Sequence, residues 1–348
     1  MDSADMLGAI LAWPERLKTG FDLDTGSATD GPDSKPLRTA RNIVVCAMGG
    51  SAIGASLAGE LLSDQLTVPF SVVRDYDLPA AVGPDTLVVA VSHSGGTEET
   101  LSTYRQARER GARVLAITTG GDLAERAAAD GVACIRYACP GQPRAALPMV
   151  LGLWLKLLGT LGYAPDQSAT VDTALTHLDE ITRDVRATNQ ATKDTQAVEI
   201  AGKLVGKIPI VHGAGFLGEA ARRVKGQISE NGKQTAAWEV LPEQNHNALV
   251  GYEFPKNLGE SAVFVLLRSN LEHPRHTARF EFMKDLFDRR QLGYVEITGT
   301  GPDKLSQLVS VLFWGDLASY DLARRNGVDD TPVDIITELK TALAESDA

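Results

Sequence analysis

The segment Ser92-His93-Ser94-Gly95-Gly96-Thr97 places three hydroxyls and two glycines within six residues. The apolar run Thr86 to Val91 before it reads as a buried strand, and Glu98 to Glu109 after it as a helix. In open α/β sheets, ligands bind beyond the carboxyl ends of strands. A helix start offers free N–H groups and partial positive charge to an anion. Ser92, Ser94 and Thr97 can donate to phosphate oxygens, while Gly95 and Gly96 let the backbone approach closely. A plain helix cap needs one hydroxyl; three with two glycines between them point to a cradle for a phosphate monoester. Gly49-Gly50-Ser51, after the apolar run Ile43 to Ala47, supplies a second wall for the same pocket.

A carboxylate and a histidine form the next constellation. Glu230 falls near the end of a helix whose apolar face is Ala221, Val224 and Ile228, with Asn231-Gly232 as the stop signal. His246 lies in the polar loop Glu243-Gln244-Asn245-His246-Asn247. Such a pair can act as general base and general acid if folding brings both to a substrate. A solvated helix end and a loop histidine bonded to backbone are the plainer alternatives. A dinucleotide site is poorly supported: GGSAIG from Gly49 misses the GxGxxG spacing, and no P-loop lysine follows. Gly213 to Gly218 does match GxGxxG, but close strand–helix contact explains it equally well. No metal is expected. Of the six histidines only His273 and His276 are close, Pro274 lies between them, and the pair reads as a solvated loop.

These residues need strands and helices to position them. Residues 1 to about 20 have the spacing of one amphipathic helix, and 22–38 read as a loop. Strands are expected at Ile43–Ala47, Phe70–Arg74, Thr86–Val91 and Arg113–Thr118, with helices at Ala52–Leu62, Glu98–Glu109 and Asp122–Ala129. The apolar stretch Ala145–Leu155 reads as a buried helix, and Asp172–Lys193 as a polar helical connector. The theme then repeats: strand Lys207–Val211, turn His212-Gly213-Ala214-Gly215, helix Phe216–Ile228, strands Ala262–Leu267 and Gly293–Ile297, and a long helix Leu305–Arg325. Alternating strands and helices imply parallel sheets covered on both faces. The expected fold is α/β, with two doubly wound domains: residues 1–38 as a leading helix and loop, 39–165 as the first domain, 166–193 as the connector, and 194–348 as the second domain. Near the C-terminus Thr331 reads as a helix cap and Pro332 as the first helical residue. Val333, Ile336, Leu339 and Leu343 would form a buried stripe, and Lys340 flanks it.

Composition narrows the class of function. The 348 residues carry a net charge of −11, which argues against a chain that coats nucleic acid or an anionic membrane. The three cysteines, Cys46, Cys134 and Cys139, form no CxxC pair, so a reduced, cytoplasmic setting is expected. The N-terminus lacks a signal-peptide pattern, and no apolar run is long enough to span a membrane.

Taken together, GGSAIG, SHSGGTEET, PRAALP from Pro143, SENGK, PEQNHN and TPVDIITELK resemble the bifunctional phosphoglucose/phosphomannose isomerases of the sugar-isomerase (SIS) superfamily, over residues 40 to 343. The resemblance implies two SIS domains, each a flavodoxin-like αβα sandwich. It implies a homodimer and metal-free interconversion of glucose 6-phosphate and mannose 6-phosphate with fructose 6-phosphate, with no cofactor. Gly50, Ser51, Ser92, Ser94 and Thr97 would bind the phosphate or nearby sugar atoms, and Arg144 would lie at the active site. Glu230 would move the proton between C1 and C2. His246, donated by the partner subunit, would assist ring opening with Lys340. Thr331 is a candidate for leaving room for both C2 epimers. Two departures bear on pocket shape: Gly96 stands where relatives often carry Asn or Asp, and Gly232 where Ala is common. The competing expectations are a non-catalytic SIS sensor of sugar phosphates and an isomerase that prefers mannose 6-phosphate or another phosphosugar.

Overall fold

In the computed structural model the residues described are 5–29, 37–187 and 195–346. They build two parallel sheets. The first contains β1 (Asn42–Ala47), β2 (Phe70–Val73), β3 (Thr86–Ser92), β4 (Arg113–Thr118) and β5 (Ala133–Arg136), in the order β2-β1-β3-β4-β5. The second contains β6 (Ile208–Ala214), β7 (Ala237–Leu241), β8 (Ala262–Arg268) and β9 (Tyr294–Thr298), in the order β7-β6-β8-β9. In each sheet the strand order reverses beside the first strand, between β1 and β3 and between β6 and β8. That reversal opens the crevice in which α/β proteins bind ligands.

The central strands are apolar on both faces because helices cover both. Along β3, Leu87, Val89 and Val91 join one core, while Val88 and Ala90 join another with Tyr104 and Leu123. This is the two-residue period of a strand buried on both sides. The second sheet has its own outer core, in which Phe264 and Leu266 meet Phe280, Met283 and Phe287. The inner faces of the two sheets share a single core: Val45 and Val89 belong to the same apolar cluster as Val211 and Val265, along with Trp13 and Leu17.

Several elements differ from expectation. The N-terminal helix is two, Met6–Leu11 and Trp13–Phe21, broken at Ala12 ahead of Pro14. The helix that follows β1 starts at Gly49, so Gly50 and Ser51 lie in its first turn and not in a preceding loop. β6 continues through Gly213 to Ala214, and a short 3-10 turn, Gly215–Leu217, leads into the helix Gly218–Glu230. The segment after His273 is the helix Pro274–Arg290. His273 caps it, accepting the Arg275 N–H at 3.1 Å, so the pair His273/His276 marks a helix start and not a solvated loop. The connector is the helix Ser168–Ala187; its expected end at Lys193, and the loop residues 30–36, lie outside the described residues. The last helix runs from Asp334 to Ser346, after Thr331 and Pro332. Its apolar stripe is not buried: Leu339 is 58% exposed and Ile336 44%. That face turns toward a cleft instead of a core.

Candidate active site

A cavity of about 510 Å³ lies where the first domain meets the helices of the second. Its lining includes Gly50, Ser51, Ser94, Thr97, Arg144, Glu230 and Lys340, which are 290 positions apart at the extremes yet face one space. The helix Gly49–Leu61 contributes its first turn, with Gly50 against Pro143 and Arg144: a Cβ at residue 50 would lie 3.0 Å from the Pro143 carbonyl oxygen.

The loop after β3 is held from behind. Ser92 is 1% exposed, and its hydroxyl shares a hydrogen bond with Thr97 Oγ1 at 2.8 Å and accepts the Gly95 N–H at 3.0 Å. Ser92 is therefore the residue that shapes the loop, while Ser94 and Thr97 line the cavity. Gly95 has φ +76°, in the region that favours glycine, and an added Cβ would meet the Gly120 carbonyl oxygen. Gly95→Ala is therefore expected to displace the loop. Phosphate-ester affinity should fall at least about tenfold, because both the left-handed backbone and a collision must be relieved. Titration with glucitol 6-phosphate measures this; unchanged affinity would show that the loop conformation is not needed.

Glu230 is the last residue of the helix Gly218–Glu230, and its side chain is 38% exposed to the cavity. Arg144 is 2% exposed in its side chain and places Nη1 3.9 Å from Glu230 Oε2. Its other donors are used. Nε donates to Asn231 Oδ1 at 2.7 Å, Nη1 to Gln142 Oε1 at 3.2 Å, and Nη2 to the carbonyls of Asp330 and Thr331 at 2.5 and 2.8 Å. Asn231, fully buried, donates onward to Ser319 Oγ at 3.0 Å. The Arg144 carbonyl accepts from Arg223, which forms a buried ion pair with Asp316 at 3.1 Å. Trp13 closes this chain with a 3.0 Å bond to Asp316. Burial pulls the Arg144 pKa down, and the Glu230 charge opposes that shift. The result is a fixed cation beside a carboxylate that solvent and substrate can both reach.

Asn231 was visible in the sequence only as a helix stop. Its buried polar side chain next to a carboxylate is the signal that marks it as support for Arg144. His93 also lines the cavity, with Nδ1 3.0 Å from the Tyr137 hydroxyl, and burial lowers its pKa so that the neutral ring is favoured. Lys233 donates to the Glu230 carbonyl at 2.5 Å; burial, and then the Arg144 charge, lower its pKa.

Lys340 reaches the cavity from the exposed helix Asp334–Ser346. His246 does not reach it: it is exposed on the 3-10 turn Glu243–His246 and lies outside the cavity of its own chain. Thr331 presents its carbonyl to Arg144 and its hydroxyl to Asp330 at 2.8 Å, and is likewise outside the lining. Among the described residues, no group of three or more His, Cys, Asp or Glu could hold a metal ion.

Comparison with known proteins agrees with this architecture. The SIS domain model matches residues 36–138, and the model for the bacterial phospho-glucose isomerase C-terminal SIS domain matches 193–343. The chain is 38% identical to the bifunctional phosphoglucose/phosphomannose isomerase of Caldicellulosiruptor bescii, over 87% of this chain and 89% of that one. It is 34% identical to the enzyme of that name from Aquifex aeolicus, over 89% and 92%. Among solved structures, tagatose-6-phosphate ketose/aldose isomerase from Escherichia coli aligns with a TM-score of 0.71 at 18% identity, covering 94% of each chain, a likeness of fold alone. With 38% identity over 87% of its length, spanning both domains, the chain belongs to the bifunctional phosphoglucose/phosphomannose isomerase family.

Proposed function

We propose that this chain is a metal-independent aldose–ketose isomerase that interconverts glucose 6-phosphate and mannose 6-phosphate with fructose 6-phosphate. The observation that carries this reading is Glu230, from the second domain, facing the loop of Ser94 and Thr97, from the first, across one cavity. The loop hydroxyls and the first turn at Gly50 and Ser51 hold the phosphate. Glu230 removes the proton α to the carbonyl, giving a cis-enediol(ate), and returns it to the neighbouring carbon. Arg144 stabilises the charge that develops on the enediol oxygens. Rotation about C2–C3 in the intermediate lets either C2 epimer form, and Thr331, itself outside the cavity lining, bears on the room for it through Arg144, which its carbonyl holds. A non-catalytic sensor would need the phosphate cradle but no carboxylate opposite it, so Glu230 favours catalysis.

The same reading assigns residues 39–165 and 194–348 to two domains joined by 166–193, in a cytoplasmic homodimer. His246, exposed and outside its own cavity, enters the partner's cavity and opens the sugar ring with Lys340. Val250 and Phe254, 79% and 65% exposed, follow this segment in the chain and give a second copy an apolar surface to cover. The test mixes two inactive variants, Glu230→Gln and His246→Ala, against the wild-type chain turning over fructose 6-phosphate. In a two-fold dimer each mixed pair regains one complete site. Randomly exchanged subunits should thus recover about a quarter of wild-type activity by that symmetry. No recovery after verified subunit exchange would place His246 outside the shared site.

A further inference from the structure

Glu60 lies one residue from the end of the helix Gly49–Leu61, whose first turn forms the Gly50–Ser51 wall. Its Oε2 accepts the Glu219 N–H at 2.6 Å. Glu219 sits in the first turn of the helix Gly218–Glu230, so Glu60 grips one end of the helix and Glu230 occupies the other. Gly218 makes the grip possible, because a Cβ there would lie 2.5 Å from Glu60 Oε1. Arg74 ties the same two helices, donating to Ser56 Oγ at 2.6 Å and to Glu219 Oε2 at 3.4 Å.

We propose that Glu60 is a positioning residue for the isomerase base: it fixes the helix that carries Glu230 against the helix that carries the phosphate wall. This rests on the functional reading above. First-turn N–H groups have no partner within their helix and carry partial positive charge, so a carboxylate is their matched acceptor. A helix is stiff over three turns, so a shift at Gly218 moves Glu230 relative to a phosphate bound at Ser51 and Ser94. Misplacing a catalytic group by about 1 Å can cost about 100-fold in rate. Phosphate binding, at the far end of the other helix, does not depend on the grip.

Burial pushes the Glu60 carboxyl up to about 7; the Glu219 N–H opposes this, the Glu219 charge adds to it and Arg222 opposes it. Arg74 acts on the same cluster through Glu219. A folded-state value above the unfolded one means that the stability contribution is full below the unfolded carboxyl range. It is lost as pH rises through about 7.

The experiment uses the full chain and three variants, Glu60→Ala, Glu60→Gln and Gly218→Ala. It reads kcat for fructose 6-phosphate, the Kd of glucitol 6-phosphate with its binding stoichiometry, and Tm against pH. Glu60→Ala should lower kcat per binding site about tenfold, a sub-ångström positioning error, with Kd unchanged. Gly218→Ala, which pushes the carboxylate away without removing it, should do the same. Glu60→Gln keeps an acceptor oxygen, so it should restore most of kcat while losing the fall in Tm between pH 5 and 8. Unchanged kcat in Glu60→Ala and Gly218→Ala, or a loss matched by lost binding sites, would overturn the proposal. Should Glu60→Ala fail to fold, Gly218→Ala and Glu60→Gln decide it by the same criteria. An inactive wild-type chain would instead sink the functional reading.

Discussion

Glu230→Gln should reduce kcat for fructose 6-phosphate by about 1000-fold, since a positioned base supplies about 10²–10⁴ of a rate. The amide has nearly the shape of the acid but cannot accept the proton. It still faces Arg144 Nη1, 3.9 Å away in the wild type, through a carbonyl oxygen. Geometry and phosphate binding should therefore survive, and the Kd of glucitol 6-phosphate should stay within about twofold of wild type, as expected when only a transition-state interaction is removed. Single-turnover assays and calorimetry on the same preparation separate the two quantities. Normal turnover by this variant would remove Glu230 from the mechanism.

Arg144→Lys should be the second most damaging change. The guanidinium serves four acceptors in three directions: Asn231, Gln142 and the carbonyls of Asp330 and Thr331. A lysine keeps the charge but presents its donors from one compact, strongly hydrated atom, not from a planar fork. Acceptors left unpaired in a buried site cost about 1–3 kcal/mol each, so a lowered Tm is expected. The chain between residues 328 and 333, which leads to the helix of Lys340, loses its tie to the first domain. We expect kcat/KM to fall about 100-fold, a loss on the scale of a removed transition-state donor. Steady-state kinetics beside a thermal melt check this. A variant that is fully active but less stable would make Arg144 a scaffold residue only.

What the sequence revealed followed from periodicity. β4 and the helix Glu98–Glu109 have the limits their spacing predicts, because buried strands and amphipathic helices carry strong apolar patterns. β5 and β7 were missed because they are edge strands: Ala133–Arg136 is short, and Ala237–Leu241 leaves Trp238 38% exposed. The helix Pro274–Arg290 was missed because its buried Phe280, Met283 and Phe287 are interleaved with many charges. In the site, the loop 92–97 announced itself locally. The meeting of Arg144, Glu230 and Lys340 did not, since no local pattern joins positions so distant in the chain; only the family resemblance linked them. The stripe on the last helix misled for a physical reason. Amphipathicity tells which face avoids water, and a cavity wall satisfies it as well as a core does.

The apolar cluster shared by the inner faces of both sheets has a practical consequence. Val45 and Val89 from one half, and Val211 and Val265 from the other, have no separate interiors on that side. Splitting the gene between the halves would give each fragment a greasy wall with nothing against it, so neither is expected to stay soluble without the other to cover it.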